Sequence, residues 1–288
     1  MGEDRYVTVY SPGSELAERV VAEVYAAGAG GVLEEEDGER IRLTIYLDSE
    51  VEGIIDERLR AFADEGLIIE ASAPIESRAW SEAWKEGHEA IEVSPRLVVR
   101  PPFATRALLA GQHEIVIDPG QAFGTGRHES TQLALQCLDA LLLGDAKGAR
   151  SLLDVGTGSG VLAMAALSLG VSWTVGFDLD KVATLEAGRH GRVNELESGL
   201  HLFAGPITAL QNASFDLVVV NMLRSETLPI ASEIAACVGG RLILSGLLDT
   251  DLESTLDRFS EEGLALQSSR EAQDDSGNRW IGLCLGRP

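Results

Sequence analysis

Basic residues are scarce in this sequence of 288 residues: 23 Lys and Arg stand against 46 Asp and Glu, a net charge of -23. A surface of that sign repels nucleic acid and anionic lipid and attracts a basic partner, so direct nucleic-acid binding is not expected. Cysteine is scarcer still. Cys137, Cys237 and Cys284 show no Cys-x-x-Cys spacing, and their odd number argues against a disulfide framework. Cys137 and Cys237 have apolar neighbours and read as core fillers. The five histidines lack ligand spacing, so no metal site is indicated. No apolar run approaches the ~18 residues that cross a bilayer. The opening residues show no basic stretch followed by an apolar one, and Tyr6 stands where a myristoylation signal has Ser or Thr. A soluble, cytoplasmic protein is expected, and a monomer.

What is present falls into two patterns. Residues 1–73 read as a small α+β unit in the order β-α-β-β-α-β, which matches a ferredoxin-like split unit. Its first helix is expected from Glu15 with Ser14 as N-cap, and Leu16, Val20, Val24 and Ala27 share one face. A hairpin turns about Asp37-Gly38, and a second helix carries Val51, Ile54, Ile55, Leu59 and Phe62. The acid concentrates here: residues 1–76 hold 19 acidic and 6 basic side chains, -13 of the total. Residues 74–96 read as a helical connector in which Trp80 and Trp84, four apart, share a face. From residue 97 to 288 strands and helices alternate, as in an α/β parallel sheet. Strands are expected at 151–155, 173–177, 200–204, 215–220 and 241–245, with a helix over 129–143 and a closing antiparallel hairpin about Asp274–Asn278. The run Leu217-Val218-Val219-Val220 is continuous enough for a strand covered on both faces.

Within that domain, Asp154-Val155-Gly156-Thr157-Gly158-Ser159-Gly160 follows an apolar run and leads into a helix, and the next strand ends in Asp178. Strand, glycine loop, helix, strand and acid in this order suit a nucleoside: the glycines let backbone approach the ligand, and the carboxylate can accept from ribose hydroxyls. A dinucleotide fingerprint needs glycine at 161, where Val161 stands, so a dinucleotide oxidoreductase is disfavoured. A second glycine-rich segment, Asp118-Pro119-Gly120-Gln121-Ala122-Phe123-Gly124-Thr125-Gly126-Arg127-His128, precedes the helix that holds Thr131, and Asn221 directly follows the central strand. All four segments lie at carboxyl ends of strands, where open α/β sheets bind ligands.

These segments, with Ala83-Trp84-Lys85, Leu97–Pro101 and Gly240–Gly246, resemble the ribosomal protein L-eleven methyltransferase (PrmA) family over most of residues 80–250. The resemblance implies a seven-stranded Rossmann-like S-adenosylmethionine methyltransferase domain behind a ferredoxin-like substrate-recognition domain. It implies repeated methylation of the N-terminal α-amine and lysine ε-amines of one basic ribosomal protein. The cofactor contacts it implies are Thr131, Gly156, Asp178 and Asn221. Phe123 and Thr125 of the first loop and Gly158 of the second are expected beside them. Asn221 is the candidate to orient the incoming amine, and His128 a candidate to accept its proton. Arg127, Glu129, Ser130, Thr157 and Arg224-Ser225-Glu226 depart from the family pattern. The last of these motivates one alternative, lysines of a different basic protein; a non-catalytic cofactor-binding protein is another.

Overall fold

A computed structural model describes all residues except 1–3, 38–39, 49–50, 71, 75–88, 119–125 and 288. The chain divides into two compact units, residues 1–87 and 88–288.

The first unit runs β1 (Asp4–Ser11), α1 (Ser14–Ala26), β2 (Gly31–Asp37), β3 (Arg40–Asp48), α2 (Glu52–Arg60), a 3-10 turn (Ala63–Glu65), β4 (Ile68–Ile69) and β5 (Ala73–Pro74). Its sheet order, β2-β3-β1-β4 with β5 also on β1, is that of a split βαβ pair. Alternation along β1 and β3 sends Val7, Val9, Leu43, Ile45 and Leu47 to one face, where Leu16, Val20, Val24, Ile55 and Leu59 of the helices close the core. The opposite face pairs Tyr6 with Tyr46 and Tyr10 with Arg42, all half-buried. Two local expectations change. The cap of α1 is Gly13, with no side-chain bond, and Ser14 is already helical; the Ser11 hydroxyl instead donates to the Gly13 carbonyl at 2.8 Å. Ile54 is 50% exposed, because α2 starts at Glu52 and its buried stripe is Ile55 and Leu59, one turn apart. The tryptophan helix expected at 80–86 lies outside the described residues.

The second unit takes in residues expected in the connector. Ile91–Ser94 form β6, antiparallel to β7 (Leu97–Arg100), which pairs in parallel with β8 (His113–Val116). Helix α3 (Glu129–Leu143) follows, then β9 (Ser151–Val155), α4 (Val161–Ser168), β10 (Trp173–Asp178), α5 (Lys181–Val193), β11 (Leu200–Ala204) and β12 (Phe215–Asn221). The rest is the short α6 (Arg224–Thr227), α7 (Ala231–Cys237), β13 (Val238–Leu248), α8 (Leu252–Glu261), β14 (Ala265–Gln273) and β15 (Arg279–Gly286). The seven-stranded sheet has the order β11-β10-β9-β12-β13-β15-β14. Its first five strands are parallel, and β15 runs antiparallel to both neighbours.

This sheet is covered on both faces, as the apolar run of β12 implies. Leu217 and Val219 join one core with α3 and α4, while Val218 and Val220 join the other with α7 and Phe259 of α8. β13 begins three residues earlier than expected and takes in Gly239 and Gly240. Strand order reverses between β9 and β12, which opens a crevice at their carboxyl ends.

Candidate active site

The loop after β9 is held from beneath by Asp154. This carboxylate is fully buried; its Oδ2 accepts from the Thr157 hydroxyl at 2.8 Å and from the Ala163 amide at 3.2 Å. Burial pushes the Asp154 carboxyl up to about 7, against the pull of those two bonds, and the charge of Asp178 pushes the same way. Gly156 adopts φ 69°, and a Cβ there would sit 2.5 Å from Met222 Sδ, so both backbone angle and contact require glycine. The Thr157 amide donates to the Phe177 carbonyl at 2.9 Å, which seats the loop against the end of β10.

Asp178 closes the loop from that strand. Its Oδ2 accepts from the Gly158 amide at 3.0 Å and its Oδ1 from the Asp180 amide at 3.0 Å. A carboxylate offers about four acceptor positions, so two further donors can be held. Asp180 caps α5 by accepting from the Val182 amide at 2.8 Å.

Asn221 ends β12, and its Nδ2 donates to the Thr131 hydroxyl at 3.1 Å. Thr131 is buried in the first turn of α3. Asn221 Oδ1 is buried with no hydrogen-bond partner. The Thr131 hydroxyl can donate or accept, so either orientation of the amide leaves one polar atom open. Leaving it so costs about 1–3 kcal/mol, a penalty that a ligand donor would relieve. Next door, the hydroxyl of Ser245, which faces Asn221 in register on β13, donates to the Ser130 carbonyl at 2.8 Å. The start of α3 is thus tied to two neighbouring strands.

His128 has another use in this arrangement. It is the N-cap of α3: Nδ1 accepts from the Ser130 amide at 3.2 Å and lies 2.8 Å from the Ser130 hydroxyl, and the ring meets Trp280 edge to face at 4.6 Å. With Nδ1 accepting, the neutral ring carries its proton on Nε2.

Two residues, one in α5 and one capping its end, escaped the sequence reading. Buried His190 accepts from the Asp118 amide at Nε2, 3.2 Å, and donates from Nδ1 to the Ser159 carbonyl at 3.0 Å. One turn on, Asn194 pairs both its amide atoms with the Val116 backbone, at 2.7 and 2.8 Å. Together they fasten the start of the first glycine-rich segment to the second. The only trace in the sequence is their spacing of four on one helix face. Phe123 and Thr125 lie outside the described residues.

The departures from the family pattern have local employment. Thr157 bonds Asp154, the Arg127 guanidinium donates to the Glu89 carbonyl at 3.3 Å, Arg224 pairs with Asp251 at 3.0 Å, and Glu226 accepts from the Leu223 amide at 3.3 Å.

This arrangement suits S-adenosylmethionine: open acceptor positions on Asp178 for hydroxyls, a glycine loop for close approach, and an unpaired amide atom on Asn221. The family model described as ribosomal protein L11 methyltransferase (PrmA) matches residues 16–283. The chain belongs to that family. It is 34% identical over 228 residues to the ribosomal protein L11 methyltransferase of Geobacter sulfurreducens, covering 78% of this chain and 74% of the relative. The corresponding protein of Sorangium cellulosum is 34% identical over 276 residues, 90% of this chain and 84% of its own. Among solved structures, the ribosomal protein L11 methylase of Lactobacillus delbrueckii subsp. bulgaricus superposes with a TM-score of 0.62 at 27% identity, over 69% of this chain and 98% of that one. Membership of the PrmA family carries the methyltransferase fold and S-adenosylmethionine as cofactor.

Proposed function

We propose that this chain methylates the N-terminal α-amine and lysine ε-amines of ribosomal protein L11 in the cytoplasm, as a monomer and without binding nucleic acid directly. The observation that carries the reading is the open polar atom of Asn221 at the sheet switch point, beside Thr131 and across the crevice strands from Asp178. When bound, S-adenosylmethionine supplies a methyl group activated by an adjacent sulfonium. Asp178 and the closely approaching backbone of the Gly156–Gly158 loop would hold the cofactor, and Thr131 fixes the Asn221 amide so that its free atom can position the amine. Positioning is the main task, since in-line transfer between two held reactants needs little else from the protein.

The amine must arrive uncharged. At pH 7 that costs about 4–5 kcal/mol for a lysine and about 1 kcal/mol for an α-amine. The terminus therefore needs no strong base, and we assign His128 to capping rather than to proton acceptance. The acid of residues 1–76 gives the first unit the sign that a basic ribosomal protein would meet. Among the described residues no helix is long and apolar enough to cross a membrane.

Incubating the full chain with isotopically labelled cofactor and ribosomal protein L11, and weighing the product, tests this. Stepwise methyl additions to L11 are expected. Additions only to another basic protein would overturn the target, and tight cofactor binding without transfer to any protein would overturn the enzyme. Arg224 and Glu226, which motivated a different target, are held by Asp251 and by the Leu223 amide.

A further inference from the structure

Away from the crevice, α3 lies close over β15 because Gly282 has no side chain: a Cβ there would sit 3.1 Å from Leu133 Cβ and 3.4 Å from Cys137 Sγ. Cys284 is two residues further along the strand and points to the same face. It therefore lies beside Cys137, and the two thiols line one cavity. Both are almost wholly buried, at 1% and 2% exposure, yet they line a cavity of about 390 Å³. Ser268, which faces Cys284 in register, Ser269, Arg270 and Asp145 form its walls. Arg270 and Arg241 act on Cys284 from neighbouring strands, and Asp145 lies 4.0 Å from Arg241.

We propose that Cys137 and Cys284 are an oxidant-responsive dithiol, closed to a disulfide by a hydroperoxide entering this cavity. The two sulfurs have distinct parts. The adjacent Cys137, with Ser268 and then the two arginines, draws the Cys284 thiol down against burial. Cys137 is pushed up by Cys284 and by burial. Cys284 is then the attacking thiolate and Cys137 the resolving thiol. Cys284 sulfur attacks a peroxide oxygen; the O–O bond breaks, giving a sulfenic acid, and the departing oxygen takes up a proton to leave as water. Cys137 sulfur attacks the sulfenic sulfur, its proton passes to the departing hydroxyl, and a second water leaves as the S–S bond forms. Overall two thiols are oxidised and one hydrogen peroxide is reduced to two waters. Cys237 provides an internal contrast, since burial alone raises its thiol. The bond would fasten α3, which carries Thr131, to the strand whose Trp280 packs on His128.

The test treats the full chain with hydrogen peroxide, quenches, alkylates after unfolding, and maps peptides without reduction. A Cys137–Cys284 cross-link is expected, reversible by dithiothreitol, with Cys237 recovered alkylated. In Cys137→Ser, Cys284 should persist as a sulfenic acid that dimedone traps; Cys284→Ser should give neither cross-link nor trapped adduct. In the wild-type chain, free thiols at both positions, or sulfinic acid at Cys284 with no cross-link, would overturn the proposal. So would links between different molecules only.

Discussion

Asp154 makes the pH dependence of this fold measurable. Its Oδ1 has no partner, while Oδ2 holds Thr157 and Ala163. Burial raises the folded carboxyl from 3.8 to about 7. Between those values the native chain binds a proton that the unfolded chain lacks. Stability from this group is therefore fully present below the unfolded value, falls as pH rises through the window, and levels off above 7. From pH 5 to pH 8 about two units of that window are crossed, a loss of about 3 kcal/mol. Asp154→Asn keeps an acceptor for Thr157 and Ala163, places an amide where Oδ1 was, and does not titrate. Urea unfolding of both proteins at the two pH values isolates the effect. Carboxyls lowered by their partners, such as Glu114 beside Arg100 and Asp216 on the Arg150 amide, cancel in the difference. The mutant should gain about 3 kcal/mol on the wild type between pH 5 and pH 8. Parallel pH dependences for the two proteins would refute the reasoning.

Asp178→Ala should weaken cofactor binding by about 1.5–3 kcal/mol, the worth of hydrogen bonds to a charged group, and unchanged affinity by calorimetry would remove Asp178 from the site. Asn221→Ala should lower kcat more than cofactor affinity; equal turnover would make Asn221 a structural strand end. His128→Ala should cost about 0.5–2 kcal/mol of stability, as loss of an N-cap does, and leave the shape of the pH–rate profile intact. A lost basic limb in that profile would restore His128 as a proton acceptor. Removing residues 1–87 should abolish methylation of the protein substrate and leave cofactor binding near normal, since Thr131, Gly156, Asp178 and Asn221 all lie in the second unit. The full chain should also slow as salt shortens the reach of its acid to about 8 Å at physiological strength. A truncated chain working at the full rate would place recognition in the second unit.

Period and punctuation made most elements legible in advance. Leu16, Val20 and Val24 are buried at the expected helical spacing, and the unbroken run in β12 is buried on both faces. Boundaries slipped by a residue: Ser14 looked like a cap, but Gly13 takes that place and its carbonyl accepts the first helical bond from the Ala17 amide. Residues 91–94 read as connector because their alternation, Ile91-Glu92-Val93-Ser94, covers only four residues.

Residue types at fixed intervals along one strand, loop or helix are local properties, so the glycine loop, Asp178 and Asn221 could be read from the chain by itself. Tertiary structure alone decided which of them touch and which groups are left over. Thr131 and Asn221 are 90 residues apart and meet because the first turn of α3 packs at the carboxyl end of β12. His190 joins Asp118 to Ser159 because α5 crosses both loops, a consequence of packing. The raised carboxyl of Asp154 and the meeting of Cys137 and Cys284 at one cavity likewise follow from burial. Burial is a property of the folded whole.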